Sequence, residues 1–443
     1  MRRKSFLRVM AVTSATALLT TGCLQGGDDG GGGGGGSEET EEGDGSVQIL
    51  GAFPDPEAGF FEDSLKDFEK ESGIDVTYVA STDFTTEIRT RVQGGNPPDI
   101  GLFPQPGLVE ELGAGADAIP LNDLVDVDKL NETLIPGFLD SVTDENGNLF
   151  AAPMRMAVKS IVWYPKPAFE EAGYEVPETW TDLQELAEQM QSDGNTPWCL
   201  GAEAGADTGW VLTDWVEEMV LRTAGPDVYD QWVNHEIPFD DPQIQEAAAL
   251  FGDDILFKQG AVAGGPQGVL TTPFDVSPNG MFEDPPQCFL HRQGNFVTGF
   301  FPKDVQSNLA EEVGTFVLPP VEDGYDGTPI LGGGDMATAF VNDTDVVEVM
   351  KFITSDEFGK PWAAAGGWLS PHSTFDNSAY PDPTTQEIAA LVQQGDIFRF
   401  DASDLMPAEV GAGTFWDGMV DWAAEEKSLE EALASIEESW PSD

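Results

Sequence analysis

Two hydrophobic periods alternate along the first part of the chain's folded body. The short apolar stretch 47–53 is typical of a buried strand. Phe61, Leu65 and Phe68 follow at the i, i+4, i+7 spacing of one helix face, and glycine 73 ends that helix. The body therefore begins with a strand and then a helix.

The same order repeats immediately afterwards. Apolar residues alternate with polar ones over 74–78, which predicts a second strand. Phe84, Ile88 and Val92 then mark a second helix face. The stretch 97–103 has the pattern of a third strand. This βαβαβ order predicts an α/β fold with a parallel sheet, in which ligands bind beyond the carboxyl ends of the strands.

The residues before this body predict export. Four basic residues within the first eight precede the apolar run 9–19, and Gly22-Cys23 comes after it. An apolar run this short is typical of a signal peptide rather than a membrane span, so residues 1–22 are expected to be removed. The Gly-Cys pair resembles a bacterial lipobox, which implies that Cys23 is the lipidated first residue of the mature chain.

Residues 23–46 have the composition of a tether. Seven glycines fill 30–36, and acidic residues dominate the segment 37–44. Such a stretch cannot bury apolar surface, and its charges extend it. A lipid anchor and a tether together predict a protein held at the outer face of the cytoplasmic membrane, whose membrane contact is through the anchor alone.

Composition narrows the classes of partner. The chain has 443 residues, of which 80 are acidic and 20 basic, for a formal net charge of −60. Because phosphate groups must be neutralised by a basic surface, this composition excludes a nucleic-acid binder. Self-repulsion of this size also favours a saline medium that screens it.

Several segments carry a resemblance to a known family. Landmark segments stand in the family's order at 68–76, 94–100, 151–169 and 176–183. They resemble the extracellular solute-binding proteins of bacterial ABC importers, in the carbohydrate class related to maltose-binding protein. Three further segments, at 51–61, 103–107 and 284–294, resemble the α-glucoside-binding branch of that class.

The resemblance implies a two-lobed periplasmic-binding-protein fold, with a ligand cleft between lobes that hinge strands join. The implied lobes are 47–153 plus 315–365 for the first, and 154–314 plus 366–443 for the second. It implies a monomer without cofactor or metal that is not an enzyme. Such a protein captures a sugar, here an α-glucoside such as a disaccharide, and delivers it to the permease subunits of an ABC transporter.

Candidate stacking residues follow from the chemistry of sugars. Sugars present hydroxyl groups and apolar C–H faces, so their sites combine flat aromatic rings with short polar side chains. The resemblance places a stacking tryptophan at Trp416. Trp210, on a glycine-rich turn, and Trp368, nearer a hinge, are further candidates. The open alternative for each is a place in the core.

Candidate polar residues come from the predicted strand ends. Glu57, Asp83 and Gln105 each follow a predicted strand, beyond whose carboxyl end a ligand would lie. Asp335 follows three glycines in a predicted loop, and the resemblance implies that this loop brings polar groups to the sugar. Arg155, beside the predicted hinge, is either a structural ion-pair partner or a hydrogen-bond donor to the sugar.

The cysteines predict a covalent cross-link. Cys199 and Cys288 are the only cysteines left once Cys23 is lipidated. Lone thiols in an exported protein tend to pair, so a disulfide is expected within the second lobe, the alternative being two buried free thiols.

Two other functions stay open on the sequence. A glycoside hydrolase needs only two carboxylates, which a chain with 80 acidic residues readily supplies. The three histidines, in contrast, show no metal-ligand spacing. The same scaffold could also bind a cation such as a polyamine, because tryptophan-rich loops also cage ammonium groups.

The charge pattern predicts a protein that salt stabilises. Removal of residues 1–22 deletes four of the 20 basic residues and none of the acidic ones, which leaves 16 basic against 80 acidic. Salt screens repulsion beyond about 8 Å at physiological ionic strength, and at shorter range as its concentration rises. We expect the melting temperature of the mature protein to rise between low and molar NaCl, as measured by differential scanning calorimetry. A flat or falling response would contradict an adaptation to salt.

Overall fold

The computed structural model describes residues 40–441 apart from 116, 136–137, 140–141, 144–145 and 395–396. The predicted signal peptide and the predicted lipidation site, Cys23, lie outside the described residues.

The end of the predicted tether is part of the folded body. The amide of Gly43 donates to Thr344 Oγ1 at 3.0 Å, and the amide of Gly45 donates to Asp345 Oδ2 at 2.7 Å. The segment therefore docks on the start of a helix before the first strand begins.

The helices and strands of the described residues follow one another in an α/β order. The strands are β1 Ser46–Gly51, β2 Asp75–Ala80, β3 Ile100–Phe103, β4 Ala152–Val158, β5 Ile161–Pro165, β6 His291–Arg292, β7 Val313–Val317, β8 Pro329–Ala339 and β9 Ile397–Phe400. The helices of the first half are α1 Glu57–Ser72, α2 Phe84–Gln93, α3 Pro106–Ala114, α4 Val127–Thr133, α5 Lys166–Glu171, α6 Trp180–Ser192, α7 Trp210–Thr223, α8 Pro226–Val233 and α9 Pro242–Phe251. Those of the second half are α10 Gly265–Thr271, α11 Lys303–Gln306, α12 Leu309–Glu312, α13 Thr344–Ile353, α14 Lys360–Ala365, α15 Pro383–Gln394, α16 Ala402–Leu405, α17 Trp416–Ala423 and α18 Leu429–Glu437.

The predicted βαβαβ start is confirmed. The elements from β1 to β3 occur in the expected order, and β1 pairs in parallel with both β2 and β3. Gly73 ends α1 because it adopts the left-handed conformation, with φ 81°, and its amide donates to the carbonyl of Glu69. Phe61 and Leu65 on α1 are buried, as the helical spacing requires.

The first sheet is mixed rather than wholly parallel. Its strand order is β2-β1-β3-β8-β4, and β9 also pairs with β8. β8, which enters the sheet from a distant part of the chain, runs antiparallel to β3 and β4. The first core cluster packs on this sheet and includes buried Ile49, Ile100 and Leu102.

The second sheet is smaller and has a helical core beside it. Its order is β6-β5-β7, with antiparallel pairing throughout. Every residue of α7 from 211 to 222 is buried, including four charged ones. Cys199 and Cys288 are joined by a disulfide, with their Cα atoms 5.3 Å apart.

The chain crosses between the sheets at short connections. Only residues 159–160 separate β4 of the first sheet from β5 of the second. The predicted lobe boundaries at 153/154 and 314/315 fall inside β4 and β7. The division into lobes stays a prediction.

Within the described ranges, the helices lack the length and apolar character that crossing a bilayer requires.

Candidate ligand-binding site

A cavity of about 240 Å³ lies at the carboxyl ends of the first three strands. Phe53 follows β1, Thr82 follows β2 and Pro104 follows β3, and all three residues line it. Trp210, which begins α7, and Trp416, which begins α17, complete the wall. Both helices also contribute to a second core cluster, which includes buried Leu212 and Met419. This is the position at which an open α/β sheet binds its ligand.

The structure brings most of the predicted binding residues to this cavity. Six of the eight line it, namely Glu57, Gln105, Arg155, Trp210, Asp335 and Trp416. These residues lie far apart in the sequence, from α1 to α17, and the tertiary fold brings them together. That they contact a ligand stays a prediction.

Two predicted residues are placed elsewhere. Trp368 is buried and packs against Phe358 and Phe375, so its ring fills the core while the neighbouring Gly367 lines the cavity. Asp83 precedes α2 and is absent from the cavity wall, although its charge acts on Asp207, which does line it.

Asp335 lies in a strand, and the predicted glycine-rich loop is wrong. The glycines before it are interior residues of β8, paired with β4 and β9. A Cβ on Gly334 would lie 2.2 Å from the carbonyl oxygen of Arg155, so a glycine is required for the two strands to approach. In the register of the pair, Asp335 stands opposite Arg155.

Arg155 is an ion-pair partner of two carboxylates. Its guanidinium donates to Glu57 and to Asp335, and it lies 4.9 Å from the ring centre of Phe53. Burial opposes its charge, but Asp335 and Glu57 outweigh that effect and raise the pKa of Arg155. Burial raises the pKa of Glu57, which the charge of Arg155 offsets only in part. Of the two roles expected for Arg155, the geometry provides the first.

A second buried cation, Lys159, is absent from the residues predicted on the sequence. Its ammonium donates to Asp214 Oδ1 at 2.9 Å and to Asp401, and it lies 3.9 Å from Asp404 Oδ2. Lys159 lines the cavity together with Asp401 and Asp404. The signal that could have found it is the alternation along β4, because residues 155, 157 and 159 fall on one side of an extended chain.

The carboxylates around Lys159 respond differently to burial. Burial raises the pKa of Asp214 to about 8 and raises that of Asp404 well above its ordinary value. Burial also acts on Asp401, but the charge of Lys159 and hydrogen bonds from neighbouring acids outweigh it, so the pKa of Asp401 is lowered. Burial thus opposes the ionisation of Asp214 and Asp404, whereas Lys159 favours that of Asp401.

Aromatic side chains form the apolar part of the wall. Trp210 and Trp416 line the cavity with Phe274 and Phe296. The backbone of Gly209 has φ 130°, and a Cβ there would lie 2.6 Å from Trp416 Cβ. Glycine at this position therefore allows the turn that carries Trp210 to pack directly on Trp416.

Two cavity residues carry polar atoms that lack partners. Within the part of the chain that the structure describes, Gln105 Oε1 and Trp416 Nε1 are buried and make no hydrogen bond. Unpaired buried polar atoms cost free energy, so a ligand or water that reached them would stabilise the site.

Carboxylate oxygens of Asp214, Glu217 and Asp401 lie within 4.8 Å of one another. The ammonium of Lys159 contacts two of these three residues and supplies the positive charge there. The group is thus an ion-pair cluster with its own cation.

The chain is similar in sequence to known proteins. The family model described as bacterial extracellular solute-binding protein matches residues 55–360. The chain is 40% identical, over 89% of its length and 92% of the relative, to the osmoprotective compounds-binding protein GgtB of Synechocystis sp.. It is 34% identical to the alpha-glucosides-binding periplasmic protein AglE of Rhizobium meliloti, over 90% of this chain and 87% of the relative.

A solved structure shows the same fold. The maltose-bound MalE3 of T. maritima superposes with a TM-score of 0.67, at 19% sequence identity, over 89% of this chain and 98% of that one. The two-lobed α/β fold expected from the sequence is confirmed.

Asp207 supplies a test of the electrostatics at the cavity. It ends a short turn before α7, and burial, together with the smaller effect of the Asp83 charge, raises its pKa to about 6. A carboxyl group whose pKa is raised in the folded state favours folding below its ordinary pKa, and that contribution is lost as the pH rises through 6.

We therefore expect Asp207→Asn to raise the free energy of unfolding at about pH 8 by roughly 1–2 kcal/mol, since the shift of about two pKa units is partly screened by solvent. The gain should vanish towards pH 4. Urea unfolding of both proteins across this range measures it. Asp67→Asn, at an exposed position of α1, is the control and should change little. Equal effects at every pH would contradict the assignment.

Proposed function

The chain belongs to the family of bacterial extracellular solute-binding proteins, and on that basis we propose that it captures an α-linked glucoside of disaccharide size and delivers it unchanged to the permease of an ABC importer. The observation that carries the proposal is the cavity, whose wall combines aromatic rings with polar side chains.

The chemistry of the wall suits an uncharged polyhydroxylated ligand. Trp210 and Trp416 offer apolar faces for the C–H surfaces of a sugar ring. Gln105 and Asp335 offer acceptors, and Gln105 retains an unpaired oxygen. The two cations at the wall, Arg155 and Lys159, are each already paired with two carboxylates, so the ligand need not bring a charge.

Contacts to both sides supply a mechanism for delivery. Glu57, at the start of α1, and Gln105, directly before α3, line one side of the cavity, whereas Trp210 and Trp416, which begin α7 and α17, line the other. A ligand that touches both sides binds the closed arrangement more tightly than the open one, and it shifts the equilibrium by that difference. The closed form is then the signal that a permease reads.

A second candidate ligand is an osmoprotective compound, which the name of GgtB gives for that relative. The formal net charge of −60 favours it, because a surface this acidic suits a saline medium. An osmoprotective ligand and an α-glucoside share the same chemistry if the solute is a neutral glucoside. Relatives named as binding proteins, and a cavity whose cations are paired, favour binding over hydrolysis.

The test is calorimetry with maltose, trehalose and sucrose on the wild type and on Trp416→Ala. We expect saturable binding of at least one disaccharide without product, and a loss of about 2 kcal/mol in the variant, because a buried aromatic anchor is removed. Trp416→Phe keeps the apolar ring but removes the indole N–H, and should lose less. Trp440→Ala, outside the cavity, is the control.

Three results would count against the proposal. Unchanged affinity in Trp416→Ala would remove that residue from the site. Heat from spermidine but from no sugar would replace the ligand class. Release of glucose during the incubation would show a hydrolase.

We also propose that the protein is lipid-anchored through Cys23. The support is the order of basic residues, apolar run and Gly-Cys, followed by a glycine-rich tether. Expressed in full in a bacterium that processes lipoproteins, the wild type should partition with membranes, and Cys23→Ser should be released or left unprocessed. A variant that stays bound to membranes as firmly as the wild type would show that the anchor lies elsewhere.

A further inference from the structure

Lys159 occupies the connection between the two sheets. It follows β4 directly, its amide donates to the carbonyl of Leu331 on β8 at 2.8 Å, and it is 8% exposed. The next residue, Ser160, accepts from the Leu331 amide and donates to Glu218 on α7. The backbone at this point is therefore fixed to the first sheet, while the side chain reaches into the wall of the cavity.

The ammonium of Lys159 contacts two elements beside the cavity, α7 and α16. It pairs with Asp214 on α7 and with Asp401, the N-cap residue directly before α16, and it lies 3.9 Å from Asp404. It also lies 5.6 Å from the ring centre of Trp210. Lys159, in the connection between β4 and β5, therefore contacts both the candidate stacking ring of Trp210 and residues 401–404, which we call the α16 turn.

Around this ammonium, acidic side chains outnumber basic ones. The Lys159 cluster consists of Lys159, Asp214, Glu217, Asp401 and Asp404, all of them buried. Neighbouring charged and titratable groups from the packed elements are Glu218 and Arg222 on α7, Tyr229 on α8, Arg292 on β6 and Asp335 on β8.

The neighbouring arginines, Arg222 and Arg292, form their shortest ion pairs with Glu218 and not with the Lys159 cluster. Arg292 pairs with Glu218 at 2.6 Å and reaches Asp214 only at 3.7 Å, while Arg222 pairs with Glu218. Lys159 is thus the principal counter-charge for the carboxylates at this part of the cavity. Removing one partner of a buried ion pair leaves the other charge uncompensated, which is costly.

We propose that Lys159 is a positioning residue for ligand binding, whose ammonium holds the α16 turn and Trp210 in the arrangement that the ligand meets. The proposal rests on the function proposed above, and it adds that the cavity wall is held by charge and not by packing alone. Lys159 acts through its neighbours, and the ligand contacts Trp210 and the α16 turn.

The test compares Lys159→Met, Lys159→Arg and Lys258→Met by calorimetry, with the disaccharide that the wild type binds. Methionine keeps most of the length of the side chain without its charge. Lys258 is the matched control, because it also forms an ion pair, with Glu188, but does not line the cavity.

We expect Lys159→Met to bind at least tenfold more weakly at about pH 8, and the deficit to shrink towards about pH 5, because Asp401, which Lys159 keeps ionised, then takes up a proton. Lys159→Arg should stay within about threefold of the wild type, since it keeps the charge. Lys258→Met should match the wild type throughout. A deficit of the same size at every pH, or none, would overturn the proposal.

A second variant serves if Lys159→Met fails to fold. Asp401→Asn removes one charged partner of the ammonium and leaves Lys159 in place. It should bind the disaccharide several-fold more weakly than the wild type at about pH 8, and the tryptophan emission of the ligand-free protein should shift, because the tie between the α16 turn and Trp210 is weakened. Unchanged affinity, or unchanged emission, would refute the positioning role.

Failure of the proposed function is distinguishable from failure of this inference. If the wild type binds no sugar, the proposed function fails. In that case, the tryptophan emission of ligand-free Lys159→Met should still change with pH relative to that of Lys258→Met. A spectrum that does not change refutes the positioning role.

Discussion

The pairing of buried charge along β4 is the constraint on which the cavity depends. Arg155 and Lys159 project from one strand and its end, and each ammonium or guanidinium group is held by two carboxylates. Those carboxylates come from α1, β8, α7 and the start of α16, so one strand collects four elements that are remote in the sequence. A buried charge without a partner costs several kcal/mol, and the positions of these elements are therefore not independent of one another.

These buried ion pairs fix the positions of the side chains in the cavity wall more than they stabilise the fold. Burying an ion pair costs desolvation free energy that its attraction only roughly offsets, so an apolar strand could have joined the sheets equally well. What the pairs provide is a wall whose polar groups are held in fixed directions around a space of about 240 Å³. Preorganised polar groups bind hydroxyls without the entropy cost of ordering them at the moment of binding.

The sequence revealed the elements of this fold better than its site. The strands and helices up to β3 could be predicted because hydrophobic period and glycine caps are local signals, as at Gly73. The strand position of Asp335 could not, because three successive glycines resemble a loop until β4 and β9 are seen to pair with them. The roles of Asp214 and Asp401 could not be predicted either, because the chain has 80 acidic residues and the sequence does not show which of them pair with Lys159.

Salt affects the charges at the surface and those at the cavity differently. Most of the excess acidic charge has to lie where water and ions reach it, and salt weakens repulsion there between charges more than about 8 Å apart at physiological ionic strength. The pairs at Arg155 and Lys159 are buried, and buried pairs are screened far less. A change in salt therefore acts on the stability of the whole body while leaving the geometry of the cavity wall nearly constant. The proposed capture of a neutral solute would depend on this separation in a saline medium, since the two cations at the cavity are paired inside the fold.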